Sequence, residues 1–135
     1  MKGGVFFDTD LLVHAALAPD PRSDRARDLL ARGGVVSVQV LGEFASVARR
    51  GLGRPWPEVR RALADIRALC PPPLPLTLAT HEAALGIADR LGYGVHDSLV
   101  IASALEAGCV RLLSGGMRDG QVVEDRLTIR DPFRP

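Results

Sequence analysis

The chain has 135 residues, of which 47% are hydrophobic, and a net charge of +1. A chain of this length can bury a core without disulfides or a structural metal, so we expect one domain over residues 1–135. Cys70 and Cys109 have neither CxxC spacing nor a histidine cluster beside them, which argues against a zinc site. The apolar run Val5–Phe7 is too short for a signal peptide, and no stretch approaches the ~20 residues of a membrane span. We therefore expect a cytoplasmic protein with no membrane partner.

Short apolar runs alternate with stretches of helical periodicity along the chain. The expected strands cover 5–7, 35–36, 74–76, 110–113 and 127–129. The expected helices cover 11–17, 23–32, 38–50, 57–69, 80–91 and 97–107. Turn and capping residues mark their ends: Pro19 closes the first helix, Ser23 or Asp24 caps the second, and Gly51 ends the third. Strands that alternate with helices indicate βα units and a mostly parallel sheet, and Pro75 confines its strand to an edge.

An acidic pair follows the first strand. Asp8 comes directly after the apolar run Val5–Phe7, and Asp10 lies two residues later. Open α/β sheets bind their ligands at the carboxyl ends of parallel strands, which is where this strand places Asp8. The same position also suits a turn residue, so this acid alone does not decide between a site and a turn.

Two further acids interrupt the apolar faces of helices. Glu43 lies between Val40 and Val47, on or beside the apolar face of its helix. Asp97 stands on the apolar stripe of a later helix, at the positive end of that helix's dipole. Each acid has a structural alternative, which is a buried ion pair with an arginine such as Arg49 for Glu43 and a helix N-cap for Asp97.

Taken together, the three acids predict a metal site. Asp8, Glu43 and Asp97 come from three separate elements, and each interrupts an apolar pattern. An ionised carboxylate on an apolar face is costly unless it is paired or binds a metal, and a hard cation that collects oxygen ligands explains all three. Mg²⁺ or Mn²⁺ suits such a site, where the ion can activate water and stabilise the charge that develops on a phosphodiester.

Arginines form a basic segment in the middle of the chain. Six of the sixteen arginines fall within residues 49–67. Arg49, Arg50 and Arg54 follow the helix that carries Glu43 and are candidates for binding the phosphates of a nucleic acid strand. The alternative is a solvated helix end, because the helix dipole favours positive charge at the C-terminal end of a helix.

Four segments resemble, in order and spacing, the motifs of PIN domains. They are a hydrophobic strand ending in Asp-Thr, a serine-capped helix that contains a glutamate, an aspartate that opens a helix after a glycine-rich lead-in, and a closing loop. The segments lie at 5–13, 37–43, 93–104 and 112–121, with 131–133 extending the last. The resemblance covers nearly the whole chain and is to the VapC-type toxin ribonucleases within this family.

The resemblance implies a three-layer α/β/α, flavodoxin-like fold with a short, mostly parallel sheet. It also implies metal-dependent cleavage of RNA by a toxin that pairs with a cognate antitoxin protein and forms a homodimer. Asp8, Glu43 and Asp97 would then be metal ligands and catalytic residues, with Glu43 holding or deprotonating the attacking water. Thr9 would orient Asp8 or a phosphate oxygen, and Ser114 would support the site.

The pair Gly115-Gly116 departs from the family pattern. PIN domains usually carry acids where this chain has Gly115 and Gly116, and the second of these is the fourth carboxylate of the metal site. Three outcomes are open: Asp119 or Asp10 takes the place of the missing acid, the site operates with three carboxylates, or the chain is a catalytically weak scaffold that binds RNA or an antitoxin. The substitution therefore predicts reduced activity.

A second family shares the opening motif alone. Asp8-Thr9-Asp10 also fits the DxD start of aspartyl phosphatases of the haloacid dehalogenase type. That family has Thr or Val two residues after the second aspartate, where this chain has Leu12, and a lysine later in the chain. Lys2 is the only lysine here and precedes the motif. The sequence therefore favours the PIN-type nuclease.

Overall fold

The computed structural model describes residues 3–17 and 20–134 of the chain; Lys2 and Pro19, which entered the sequence analysis, lie outside these ranges. Within them the chain forms a mixed α/β fold. Its helices are α1 (Thr9–Ala16), α2 (Pro21–Ala31), α3 (Val38–Ser46), α4 (Trp56–Leu69), α5 (Leu78–Leu91) and α6 (Val95–Glu106). A π-helical turn, Val47–Gly51, follows α3 directly. Its strands are β1 (Val5–Phe7), β2 (Arg111–Leu113), β3 (Val122–Val123) and β4 (Leu127–Arg130).

The strands form one sheet in the order β1-β2-β4-β3. β1 pairs with β2 and β2 pairs with β4 in parallel, whereas β3 runs antiparallel to β4. Beyond β1 the sheet continues through single parallel bridges, from Phe6 to Val35 and from Ser37 to Leu74. The structure thus confirms the α/β class with a short, mostly parallel sheet. The strands predicted around Val35 and Leu74 are one bridge each, because the chain enters α3 after Ser37 and prolines flank Leu74.

Aliphatic and aromatic side chains on the sheet and the surrounding helices form the core. Phe6, Leu112 and Ile129 are register partners on three adjacent strands and are all 0% exposed. Helices α5 and α6 pack together, with α6 against β2, while α1 packs against α2 and α3. Cys70 and Cys109 are buried free thiols, neither of which forms a disulfide. None of the helices in the described ranges is long and apolar enough to cross a membrane.

The start of α2 differs from the prediction. Asp20 is the N-cap and accepts a hydrogen bond from the backbone nitrogen of Arg22 at 2.8 Å. Ser23 is not the cap; its hydroxyl accepts from the backbone nitrogen of Asp20 at 3.2 Å and completes a capping box. Pro21 then occupies the first helical position, where a missing N–H is tolerated.

Two later helices also begin earlier than predicted. Thr77, rather than Thr80, caps α5, and its hydroxyl accepts from the backbone nitrogen of Thr80 at 3.1 Å. Gly94 precedes α6, so Asp97 lies inside the first turn and is not the N-cap. The start of α5 follows from side-chain capping by Thr77, whereas α6 begins after Gly94 without a side-chain cap, so no capping side chain marks its start in the sequence.

Strand β3 is missing from the sequence-based prediction. It is two residues long and joins β4 through Glu124 and Asp125, whose φ angles are +51° and +56°. Two consecutive left-handed residues are typical of a type I′ hairpin turn, which is usually recognised by an Asn-Gly or Asp-Gly pair. Because Glu-Asp carries no such signal, the hairpin was not expected.

Gly34 lies at a close approach between β1 and the segment that follows α2. A Cβ added there would lie 2.6 and 2.7 Å from ring atoms of Phe7 and 2.8 Å from the backbone oxygen of Val5. The ring of Phe7 is buried and the Val5 oxygen belongs to the sheet, so neither neighbour can move aside freely. We expect Gly34→Ala to lower the free energy of unfolding by about 1–3 kcal/mol, as measured by urea denaturation.

Gly86→Ala is the matched control for this prediction. A Cβ on Gly86, inside α5, would meet nothing within 4 Å. Because alanine favours the helix over glycine, this change should raise the free energy of unfolding by about 0.5–1 kcal/mol. Equal stability changes at the two positions would contradict the close approach at Gly34.

Candidate active site

A cavity of about 370 Å³ opens at the carboxyl ends of β1 and β2. Four acids from three parts of the chain line it: Asp8, Asp10, Glu43 and Asp97. The junction of β1 and α1 supplies the first two, α3 supplies the third and α6 the fourth. The position matches the edge at which open α/β sheets bind ligands, and the three acids singled out in the sequence share one cavity.

Asp8 is held between the ends of β1 and β2. It is the N-cap of α1, and its Oδ1 accepts a hydrogen bond from the backbone nitrogen of Thr9 at 2.7 Å. The Ser114 hydroxyl, which follows β2, donates to its Oδ2 at 2.8 Å. Ser114 therefore supports the site by fixing Asp8, and Asp8 combines the turn role and the site position that its sequence context left open.

Burial dominates the electrostatics of Asp8. Its side chain is buried, and desolvation of the carboxylate raises its pKa to about 6. The hydrogen bonds from Thr9 and Ser114 oppose this increase in pKa, and the negative charges of Asp10 and Asp97 add to it. A carboxylate held this way is costly to ionise until a positive charge is nearby.

Asp10 is oriented by backbone donors. Its Oδ2 accepts from the nitrogen of Gly115 at 2.7 Å, and its Oδ1 accepts from the nitrogen of Leu11 at 3.0 Å. Burial raises its pKa, with a smaller increase from the charge of Asp131. Asp10 thus lines the cavity as a half-buried acid connected to the loop after β2.

Glu43 lies at the edge of the apolar face of α3, one third exposed. The Thr9 hydroxyl donates to its Oε2 at 2.9 Å, and the Gln39 amide donates to its Oε1 at 3.2 Å. The Nδ1 of His96 lies 3.0 Å from the same Oε1. Its partners are thus Thr9, Gln39 and His96 rather than Arg49, and the Thr9 hydroxyl binds Glu43 and not Asp8.

Asp97 faces the cavity from the first turn of α6. Burial raises the pKa of Asp97, and the charges of Glu43 and Asp10 raise it further while His96 lowers it. Among the described residues its side chain has no hydrogen-bond donor. Asp97 is therefore the least constrained acid of the four.

The loop after β2 carries two adjacent glycines, Gly115 and Gly116. Gly116 lines the cavity, and a Cβ added to it would meet nothing within 4 Å. A Cβ on Gly115 would lie 2.6 Å from Oδ2 of Asp10. Asp119 does not line the cavity; its Oδ1 accepts from the backbone nitrogen of Asp131 at 2.8 Å. Of the two acids considered as replacements, Asp10 is the one in the cavity.

The arginines predicted to bind phosphates do not line this cavity. Arg54 donates to Glu58 at 2.6 Å and to the carbonyl of Leu17 at 2.9 Å, which ties α4 to the end of α1. Arg49 donates to the carbonyl of Arg54 at 3.4 Å. Arg50 is exposed beside them. Two of the three guanidinium groups therefore have structural partners.

Two residues that were not assigned to the site from sequence contact its acids. Gln39 donates to Glu43 and, at 3.1 Å, to the backbone oxygen of His96, so it links α3 to α6. Gln39 lies one helical turn before Glu43, a spacing that could have identified it. His96 directly precedes Asp97, which places it near the site in the sequence, but its contact with Glu43 joins distant segments and has no local signal.

The chemistry of the cavity suits a hard divalent cation. Carboxylate oxygens are the ligands that Mg²⁺ and Mn²⁺ prefer. Burial raises the pKa of Asp8, Asp10 and Asp97, and repulsion by neighbouring carboxylates adds to it in each case, which a cation would relieve. No three His, Cys, Asp or Glu side chains in residues 3–17 and 20–134 are grouped so that they could hold a metal as they stand. The residues fit by donor chemistry and shared cavity, and side chains would have to rotate to close on an ion.

The chain belongs to the PIN domain family, whose model matches residues 5–118. No curated protein matches its sequence. Among solved structures it is similar to Mycobacterium tuberculosis VapC20, a sarcin–ricin loop cleaving toxin, with 25% identity and a TM-score of 0.65 over 80% of this chain and 86% of that one. It shares its fold with Rickettsia felis VapBC2, solved bound to a DNA fragment from their promoter, with a TM-score of 0.66 and 14% identity over 94% and 98% of the two chains. The family expected from the sequence is thus confirmed.

The raised pKa of Asp8 predicts a stability effect in the metal-free protein. The folded-state pKa of about 6 lies above the ordinary value of 3.8, so the folded state holds this proton more tightly than the unfolded chain. The stabilisation is present below pH 4 and is lost as the pH rises to about 6. We expect Asp8→Asn, measured in EDTA, to raise the free energy of unfolding at pH 7.5 by up to about 3 kcal/mol and to have little effect at pH 4.

Asp65→Asn is the control for this measurement, because Asp65 is an exposed acid on α4. It should leave stability nearly unchanged at both pH values. If Asp8→Asn destabilised the protein equally at pH 4 and pH 7.5, a purely structural role for the Asp8 carboxylate would replace the electrostatic one.

Proposed function

We propose that the protein is a divalent-metal-dependent endoribonuclease, the toxin of a VapC-type toxin–antitoxin pair, which hydrolyses phosphodiester bonds of RNA. The observation that carries the proposal is the convergence of Asp8, Asp10, Glu43 and Asp97 on one cavity of a PIN domain. Membership of the family and similarity to an RNA-cleaving toxin support the reaction class. An acidic cavity alone repels RNA, so the proposal requires a cation to bind there.

Mg²⁺ or Mn²⁺ would be held by Asp8 and Asp97, with Glu43 and Asp10 completing the oxygen ligands. When bound, the ion activates water and stabilises the negative charge that develops on the phosphodiester. The chain's own part is orientation. Ser114 and the backbone nitrogen of Thr9 fix the Asp8 carboxylate, while Asp97 is free to rotate towards the ion.

Glu43 is placed to accept a proton from the attacking water. The Thr9 hydroxyl donates to Oε2 of Glu43, while the Gln39 amide and the His96 ring contact its Oε1. These contacts fix the orientation of the carboxylate and leave lone pairs for a water molecule. Because the side chain is one third exposed, water reaches it directly. Thr9 therefore orients two carboxylates: its hydroxyl donates to Glu43 and its backbone nitrogen donates to Asp8.

The first test is cleavage of an end-labelled panel of single-stranded RNAs with Mg²⁺, with Mn²⁺ and with EDTA. Asp97→Asn removes the charge of a proposed ligand without changing its size, and we expect cleavage to fall by at least about 100-fold. Asp65→Asn, with the same chemical change on an exposed part of α4, should cleave at the wild-type rate. Cleavage that persists in EDTA, or in Asp97→Asn at the wild-type rate, would refute the metal-dependent site.

A second candidate function is a catalytically weak PIN scaffold that binds RNA or an antitoxin without turnover. The observation that favours it is the pair Gly115-Gly116 together with the hydrogen bond that holds Asp119 away from the cavity. Under this alternative the native site lacks a carboxylate that turnover needs. The two candidates differ in what an added acid at position 116 would do.

Gly116→Asp tests whether the missing acid limits activity. Its Cβ would meet nothing within 4 Å, so the first atom of an added side chain has space at the cavity wall. We expect cleavage to rise by about 10-fold or less if the native site operates on its four acids, and by far more if the scaffold alternative holds. Gly115→Asp is the control, since its Cβ would lie 2.6 Å from Oδ2 of Asp10 and should lower activity.

The partners follow from the same proposal. A VapC-type toxin is expected to act on RNA, to be restrained by a cognate antitoxin protein, and to form a homodimer in the cytoplasm. Similarity to VapC20 and to VapBC2 supports the first two. Size-exclusion chromatography of the purified chain, alone and with a candidate antitoxin protein, would test the last two.

A further inference from the structure

A second cavity, of about 330 Å³, lies between α2, one face of the sheet and the C-terminal segment. Five arginines from four distant parts of the chain surround it: Arg25, Arg32, Arg111, Arg130 and Arg134. We call this the arginine groove. All five side chains are exposed, so the groove presents its positive charge to solvent.

The strand register explains why two of these arginines meet. In the parallel pair of β2 and β4, Leu113 is the partner of Arg130, and Arg111 lies two residues before Leu113. Residues two apart in a strand, and partners on adjacent strands, project from the same face. Arg111 and Arg130 therefore stand on the face that also carries Val5 and Phe7, the face on which α2 lies.

The groove has a large excess of positive charge. Asp131 is the acid among its lining residues, and Arg134 lies 3.5 Å from it. Arg32 pairs with Asp28 on α2, outside the groove lining. Arg111 and Arg130 have no ion pair with any acid in the described ranges. At least two guanidinium groups are thus available to an anionic ligand.

The arginine groove and the acidic cavity are neighbours, although none of the described residues lines both. Phe7 lines the groove and the next residue, Asp8, lines the cavity; Leu113 lines the groove, and Gly116 lies three residues further on. Oδ1 of Asp131, in the groove wall, lies 3.7 Å from the position of a Cβ on Gly115. The groove therefore lies beside the loop that lines the cavity, close enough for one nucleic acid strand to contact both.

We propose that the arginine groove binds consecutive phosphates of the RNA strand as it leaves the acidic cavity. This inference rests on the proposed ribonuclease function for the identity of the strand. Guanidinium groups bind phosphates bidentately, and several in a row along a groove follow a nucleic acid backbone independently of base sequence. The groove concentrates positive charge locally, although the net charge of the whole chain is only +1.

An acidic protein segment has the complementary charge as well. The nearness of the groove to the acidic cavity favours RNA, since a strand whose scissile phosphate lies at Asp8 and Asp97 must pass along one of the adjoining surfaces. The test therefore includes a polyanion that is not RNA.

The experiment measures binding of a fluorescein-labelled 20-nucleotide oligouridylate by fluorescence anisotropy, in EDTA, at several salt concentrations. The double variant Arg111→Glu/Arg130→Glu should bind about 10-fold or more weakly than the wild type. The slope of log affinity against log salt should decrease by about 1.4, as expected for the loss of two phosphate contacts on a single strand. The neutral variant Arg111→Gln/Arg130→Gln should also bind the RNA more weakly than the wild type, but by a smaller factor. Thermal melting of each variant checks that it is folded.

Arg60→Glu/Arg61→Glu is the matched control. Both arginines are exposed on α4, inside the basic segment seen in the sequence, and the change in net charge is the same. Equal weakening by the groove and control variants, or wild-type affinity in the groove variant, would overturn the proposal. It would also be overturned if poly-L-glutamate of matched length bound in the groove more tightly than the oligouridylate did.

The design separates this proposal from the proposed function. Binding in EDTA needs no turnover, so a protein that fails to cleave RNA can still show groove-dependent affinity. Conversely, cleavage could depend on Asp97 while Arg111→Glu/Arg130→Glu has no effect on RNA binding. That result would support the ribonuclease function and show that the RNA strand does not bind in the arginine groove.

Discussion

The hydrogen bond between Ser114 and Asp8 is the contact on which the rest of the site depends. It joins the residues that follow β1 and β2, so one strand pair sets the position of the central carboxylate. The same aspartate caps α1 and thereby sets where that helix begins. A single buried acid therefore connects strand pairing, helix initiation and the electrostatics of the cavity, and its raised pKa is the cost of that arrangement.

Much of the fold could be read from the sequence because its signals are local. Apolar runs marked β1, β2 and β4, and capping or glycine residues marked most helix ends to within a few residues. The three acids could be found for a related reason, since each interrupts an apolar pattern that a nearby residue defines. Position in a strand or helix was enough to place Asp8, Glu43 and Asp97 on one edge of the sheet.

The rest depends on contacts between distant segments. Gln39 and His96 contact the site where α3 packs against the start of α6. The spacing of one helical turn between Gln39 and Glu43 is a local signal, but no short pattern encodes the packing that brings His96 to Glu43. Arg49 and Arg54 lie five residues apart and have structural partners, since Arg49 donates to the carbonyl of Arg54 and Arg54 donates to Glu58 and to Leu17. The arginines of the groove come instead from α2, β2, β4 and the C-terminal segment. Clustering in sequence was therefore a poor guide to clustering in space.

The open space at Gly116 has an evolutionary consequence. Every glycine codon is one base change from a codon for aspartate or glutamate, and a Cβ at this position would meet nothing within 4 Å. At Gly115 the same base change would drive a side chain against the carboxylate of Asp10. A single base change could thus add a fifth acid to the cavity. The structure has space for its Cβ at Gly116, whereas the carboxylate of Asp10 obstructs it at Gly115.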